Sequence, residues 1–131
     1  PIWRGGGVVF GPLGIENYNK KLSKNAKRQA IRQALTLANQ AGIITVIDNF
    51  ETSGKTKDAA AMLKAAGAND KRRVLLVDNK SDAKILATRN LANVELVSPT
   101  YLNVYYILNA DAIIFTADAL AATTEWLKED K

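Results

Sequence analysis

Two stretches of this chain combine residue types and spacing suited to holding phosphate or a nucleobase. The first is Pro1-Ile2-Trp3-Arg4-Gly5-Gly6-Gly7-Val8-Val9-Phe10-Gly11-Pro12. Trp3 offers a stacking plane, and Arg4 a planar fork that matches a phosphate or a base edge. Three consecutive glycines disfavour helix and ordinary strand, and they leave backbone that can lie close against a large polar surface. The second stretch is Asn49-Phe50-Glu51-Thr52-Ser53-Gly54-Lys55-Thr56. It resembles the phosphate loop G-x-x-x-x-G-K-[ST], and Val74-Leu75-Leu76-Val77-Asp78 imitates the apolar strand that ends in a metal-binding aspartate. Asn49 stands where that loop requires glycine, and no glycine relieves the turn before Gly54. A small P-loop-like NTPase using residues 49–56 is the alternative reading. Otherwise Gly54 marks a turn before a helix, and Lys55 and Lys57 are surface charges.

Other catalytic chemistry has little to work with. The chain contains no histidine and no cysteine. That excludes a Ser-His-Asp nucleophile, a disulfide framework and thiolate metal sites. Asp48 and Asp78 end predicted strands whereas Asp111 precedes one, which assigns them to opposite edges of a sheet rather than to one acid–base pair. The residues predict no enzyme, no metal and no cofactor. No apolar run approaches the about 18 residues needed to span a bilayer, so no membrane partner is predicted.

Charge points elsewhere. The chain has 131 residues and a formal net charge of +5. Residues 1–35 hold seven basic groups (Arg4, Lys20, Lys21, Lys24, Lys27, Arg28, Arg32) against Glu16, a net of +6. Residues 36–131 hold eleven basic and twelve acidic groups, a net of −1. A near-neutral body with a cationic leading end is the pattern of a domain that docks on a polyanion. A glycine-rich stretch beside Trp and Arg suits irregular or looped RNA better than a smooth duplex groove. The bland alternative is a protein-interaction module with incidental positive charge.

The elements that must position these groups alternate. Residues 1–22 show no hydrophobic period, and Val8-Val9-Phe10 is too short for a core strand. Ser23 caps a predicted helix running to Gln40 and ended by Gly42. Its apolar stripe is Ala30, Ile31, Ala34, Leu35, Leu37, Ala38 and Ala41, with Lys24, Arg28 and Arg32 in an i, i+4 row beside it. Ile43–Asp48 reads as a strand covered on both faces. Then follow a helix Lys55–Ala66, a buried strand Arg73–Asp78, a helix Ser81–Leu91 and a short strand Val94–Val97. A helix Pro99–Asn109, a strand Ala112–Thr116 and a helix Ala117–Glu129 close the chain. Tyr101 and Tyr105 share one face of their predicted helix and read as core, as do Leu120, Trp126 and Leu127 on the last. Strands separated by helices predict an α/β fold: three layers, α/β/α, with a mostly parallel sheet of about four strands. The expected organisation is an extended Gly-rich basic segment over residues 1–22, then a single globular domain over residues 23–131.

Several strings resemble a known family. Ile2-Trp3-Arg4-Gly5-Gly6-Gly7-Val8-Val9-Phe10-Gly11-Pro12 is similar to the signature that follows the long loop of bacterial-type large-subunit ribosomal protein L-four (uL-four). Leu22–Leu35 resembles that family's basic helix, and Val46-Ile47-Asp48-Asn49-Phe50 with Lys55-Thr56-Lys57 its next strand and loop. Ala87-Thr88-Arg89-Asn90-Leu91, Leu102-Asn103-Val104-Tyr105 and Leu108-Asn109-Ala110-Asp111 complete the pattern. The resemblance covers nearly the whole chain and reads as the C-terminal portion of the family, without its N-terminal strand and helix and most of its tunnel loop. It implies a non-catalytic constituent of the large ribosomal subunit that binds large-subunit ribosomal RNA and adjoins neighbouring large-subunit ribosomal proteins. In some members it also implies binding of the protein's own messenger leader. The implied location is the ribosome, cytoplasmic or organellar. The RNA-contacting residues it implies are Trp3, Arg4, Gly5, Gly6, Gly7, Lys20, Lys21, Lys24, Lys27, Arg28 and Arg32. Lys55, Lys57, Arg89 and Asn103 are secondary candidates.

Overall fold

The computed structural model describes residues 2–8, 10–68 and 70–128. Regular structure begins with α1 (Lys24–Gln40) and continues through β1 (Ile44–Ile47), α2 (Thr56–Ala65), β2 (Val74–Val77), α3 (Asp82–Thr88) and β3 (Val94–Val97). A 3-10 turn (Pro99–Tyr101) leads to α4 (Val104–Asn109), β4 (Ala112–Thr116) and α5 (Ala117–Leu127). The four strands are all parallel, in the order β1-β4-β2-β3.

The connections explain that order. The chain steps from β1 past one strand position to β2, then to β3, with α2 and α3 on one face. It returns through α4 on the other face and inserts β4 between β1 and β2. Right-handed crossovers demand this, because a return in the opposite direction must run over the opposite face. The pleat sends Leu75, Val77, Ile113 and Phe115 toward α1, α4 and α5, and Val74, Leu76 and Ile114 toward α2 and α3. Strands β2 and β4 are thus buried on both faces, which is why their sequences are unbroken apolar runs.

Helix ends follow their residues. The Ser23 hydroxyl accepts from Ala26 N at 3.2 Å and opens α1. At the other end Gly42 takes φ +67, its N–H donates to Asn39 O, and the Ile43 N–H donates to Ala38 O. This Schellman closure leaves only Ala41, Gly42 and Ile43 between helix and strand.

Four expectations are corrected, the simplest being that Leu120 on α5 is exposed rather than core. β1 is not covered on both faces: it is an edge strand paired only with β4, and Val46 is 51% exposed. The helix expected over Pro99–Asn109 is broken, because Leu102 is extended and the Asn103 side chain starts a new helix by accepting from Tyr106 N at 2.9 Å. With that break Tyr101 and Tyr105 face solvent rather than core, while Tyr106 packs against the core. Helix α5 is described to Leu127, and the predicted end at Glu129 lies outside the described residues, as does Val9 in the leading segment.

Candidate nucleic-acid interface

The leading segment has one local fold. The Gly6 N–H donates to Trp3 O at 3.0 Å, and Gly5 at the third position takes φ +97, the geometry of a type II turn. Arg4 occupies the turn's second position. Trp3 is 86% exposed, and Arg4 and the glycines are exposed with it. The turn accounts for glycine at position 5, and the φ of +59 accounts for it at position 6. Among the described residues nothing accounts for Gly7 or Gly11: a Cβ at either would meet open space, and neither has a left-handed φ. Further along, the Tyr18 phenol donates to the Glu16 carboxylate, which raises the pKa of this fully exposed phenol.

The cations of α1 divide. Lys24 and Lys27 are exposed, as are Lys20 and Lys21 before the helix. Arg28 and Arg32 are half-buried, and neither is without a partner. The i, i+4 row is therefore not a uniform ridge, and its free end is the Lys24–Lys27 turn. The helix is fastened to the body by Ile31, Ala34 and Ala38, and no described residue before Ile31 is fully buried.

Topology gathers some secondary candidates with this end. The short connection makes α1 run opposite to β1, so Lys24 lies toward the end of the sheet where the strands finish. Lys55 and Lys57, exposed at the start of α2, lie at the same end. Arg89, exposed at the C-terminus of α3, lies at the opposite end. Asn103 lies with the first group, but its Oδ1 is committed to capping α4.

That same end of an open α/β sheet is the usual ligand edge, and here it is filled. Asp78, only 3% exposed, receives Asn79 N at 2.7 Å and Thr116 Oγ1 at 3.0 Å on Oδ1, and Lys84 Nζ on Oδ2. Thr116 in turn accepts from Ala119 N at 3.4 Å and opens α5. The carboxylate ties β2, α3, β4 and α5 together, leaving no place for a metal. Sequence reading could not find this network, because Lys84 and Thr116 meet Asp78 only through the fold.

The loop at residues 49–56 is likewise structural. Phe50 is buried in the core against α2, which pulls the loop inward instead of around a phosphate. The Ser53 hydroxyl donates to Asp58 Oδ2 at 2.7 Å, placing a carboxylate in the first turn of α2 where a phosphate would sit. Among the described residues, no group of His, Cys, Asp or Glu could hold a metal, and no helix is long and apolar enough to cross a membrane.

An all-parallel α/β domain with its ligand edge plugged and its cations on an exposed leading segment belongs to a scaffold class rather than to the nucleotide hydrolases. Residues 1–126 match the ribosomal protein L4/L1 family, and the chain belongs to that family, whose members are ribosome components without enzymatic activity. It is 38% identical over 129 residues to the large ribosomal subunit protein uL4 of Gloeothece citriformis, covering 95% of this chain and 60% of that protein. It is 39% identical over 126 residues to uL4 of Campylobacter jejuni, with 95% and 60% covered. It is 30% identical over 126 residues to uL4 of Mycoplasma mycoides, with 95% and 61% covered. The chain thus spans about 60% of the length of these curated relatives.

Proposed function

We propose that this chain acts as a structural constituent of the large ribosomal subunit and holds large-subunit ribosomal RNA with its leading segment and the free end of α1. One observation carries the reading. The whole positive excess of the molecule lies within residues 1–35, and Arg4, Lys20, Lys21, Lys24 and Lys27 are all exposed. These cations position the domain on phosphates. Trp3 stacks on a base, Arg4 is presented by the turn, and Gly5 to Gly7 let the backbone approach. Gly7 and Gly11, for which the described residues give no reason, fit a contact with a surface outside the chain. Residues 1–22 form the contacting arm and residues 23–131 the body. Arg28 and Arg32, half-buried on the same helix, add to its field, and Lys55 and Lys57 extend the cationic end. Neighbouring large-subunit ribosomal proteins adjoin the body, and the chain works within the ribosome.

The test is the salt dependence of binding to a large-subunit ribosomal RNA fragment. Removing two phosphate contacts with Lys24→Ala/Lys27→Ala should reduce the slope of log K against log salt by about 1.5. Folding should be unchanged, because both side chains are exposed. A flat salt response in the unaltered chain would favour the protein-interaction alternative and sink this reading.

A further inference from the structure

At the end of the sheet where the strands begin, opposite the cationic end of α1, lies a cavity of about 310 Å³. Its lining includes Arg72, Arg73, Asn93, Glu95, Tyr105 and Asn109. None of these is among the residues assigned to the arm or to its secondary candidates. The volume is at the lower end of small-ligand sites, about 300 Å³ upward. The residue types are not those of a core. Tyr105 is 65% exposed, and its ring is set edge-on against Tyr106 with centroids 5.8 Å apart, while Tyr106 packs on the core. Asp111 anchors the start of β2: its Oδ2 accepts from the Arg73 backbone N–H at 3.2 Å and lies 3.6 Å from Arg72 Nε, while the Arg72 side chain stays largely exposed. Glu95 is exposed on edge strand β3, in register with Leu75 and so on the face that α4 covers.

An aromatic ring, planar guanidinium groups and a carboxylate around one small cavity match one kind of ligand. The carboxylate opposes a phosphate, which turns the site away from backbone and toward a base. Unpaired RNA bases are held by stacking on aromatic or guanidinium planes and by hydrogen bonds to their edges. Among the four bases, guanine places two adjacent donors, N1–H and N2–H, where one carboxylate accepts both. Its O6 and N7 acceptors suit an arginine. Adenine and cytosine each present an acceptor beside a donor, and uracil flanks its donor with two carbonyls, all repelled by Glu95.

We propose that this cavity takes one unpaired guanine from structured RNA, stacked on Tyr105, read by Glu95 and braced by Arg72 or Arg73. The inference rests on the RNA-binding reading above but uses a different surface.

The test is amide chemical-shift mapping on the full chain with four probes: guanosine monophosphate, adenosine monophosphate, and two short RNA hairpins with otherwise all-uridine loops in which one loop base is guanine or adenine. The guanine hairpin should shift amides at 72–73, 93–95 and 105–109, and the adenine hairpin should leave them in place. Tyr105→Ala should weaken the guanine response at least about fivefold, the lower bound of a lost stacking contact, and Tyr105→Phe should retain it. Glu95→Gln should weaken it about tenfold, as expected for a lost charge-assisted hydrogen bond. Equal responses to guanine and adenine would overturn the proposal, as would silence at these amides with all four probes. A response to guanosine monophosphate but not to the guanine hairpin would overturn it too, by making the ligand a free nucleotide. Because the readout is local, silence here alongside salt-sensitive RNA binding by the arm would sink this inference alone. A response here without arm binding would sink only the other.

Discussion

The two ends of the parallel sheet are built on opposite plans. Where the strands finish, Asp78 is buried and both its oxygens are occupied by Asn79, Thr116 and Lys84. Where the strands begin, Asp111 is part-exposed and pairs with Arg72, one of the residues that line an open cavity. Open α/β sheets ordinarily receive ligands at the finishing end. In this domain that end is closed by its own side chains, and the concave, polar surface lies at the other. A carboxylate beside a strand therefore reports nothing about chemistry until its partners are counted: Asp78 is a bolt, and Asp111 holds one wall of a cavity.

Stability measurements by urea unfolding would break this contrast or sharpen it. Asp78→Ala removes one member of a buried pair and should cost about 3–5 kcal/mol, toward the lower figure because the Lys84 side chain, 21% exposed, can turn to water. Asp111→Ala should cost no more than about 1 kcal/mol, the range of exposed pairs. Equal costs would mean that the two ends do not differ in kind.

A smaller contrast separates body from arm. Gly67 ends α2 with φ +75, and its N–H donates to Lys64 O at 3.0 Å, so Gly67→Ala should cost about 1 kcal/mol. Gly7→Ala meets open space and should leave unfolding within about 0.5 kcal/mol of the parent. RNA affinity should nevertheless fall, since the glycine is explained only by an external surface. An equally small change, less than about 0.5 kcal/mol, is expected for Tyr105→Ala, as at other exposed positions. A larger cost would return this ring to the core that its helical spacing first implied.

The layers were legible because β1, β2 and β4 are largely apolar runs rich in β-branched residues, and because Ser23, Gly42, Gly54 and Gly67 punctuate the chain at element ends. Local chemistry did not reveal the order of strands. β4 slots between β1 and β2, so the chain's last strand becomes central and its first an edge, and an apolar run such as Ile43–Ile47 reads the same in either place. The break at Leu102–Asn103 was hidden because Pro99 and the following residues also fit one continuous helix. Asn103 chooses otherwise by capping. On the arm and α1, residue types alone exposed the cationic character, while the division between exposed Lys24 and Lys27 and half-buried Arg28 and Arg32 needed three dimensions. The guanidinium–tyrosine cavity draws on residues 72–73, 93–95 and 105–109, which only the β2–β3 pairing and the return of α4 bring together.

Helix α1 is about 26 Å long at 1.5 Å per residue, yet its fully buried contacts all lie from Ile31 onward. It is a cantilever, clamped at Ile31, Ala34 and Ala38 and carrying Lys24 and Lys27 on its free span. The aim of those ammonium groups is thus governed from the clamp. Widening Ala34 by a few methylenes would lift the beam off the sheet and swing its tip sideways without altering a single charge.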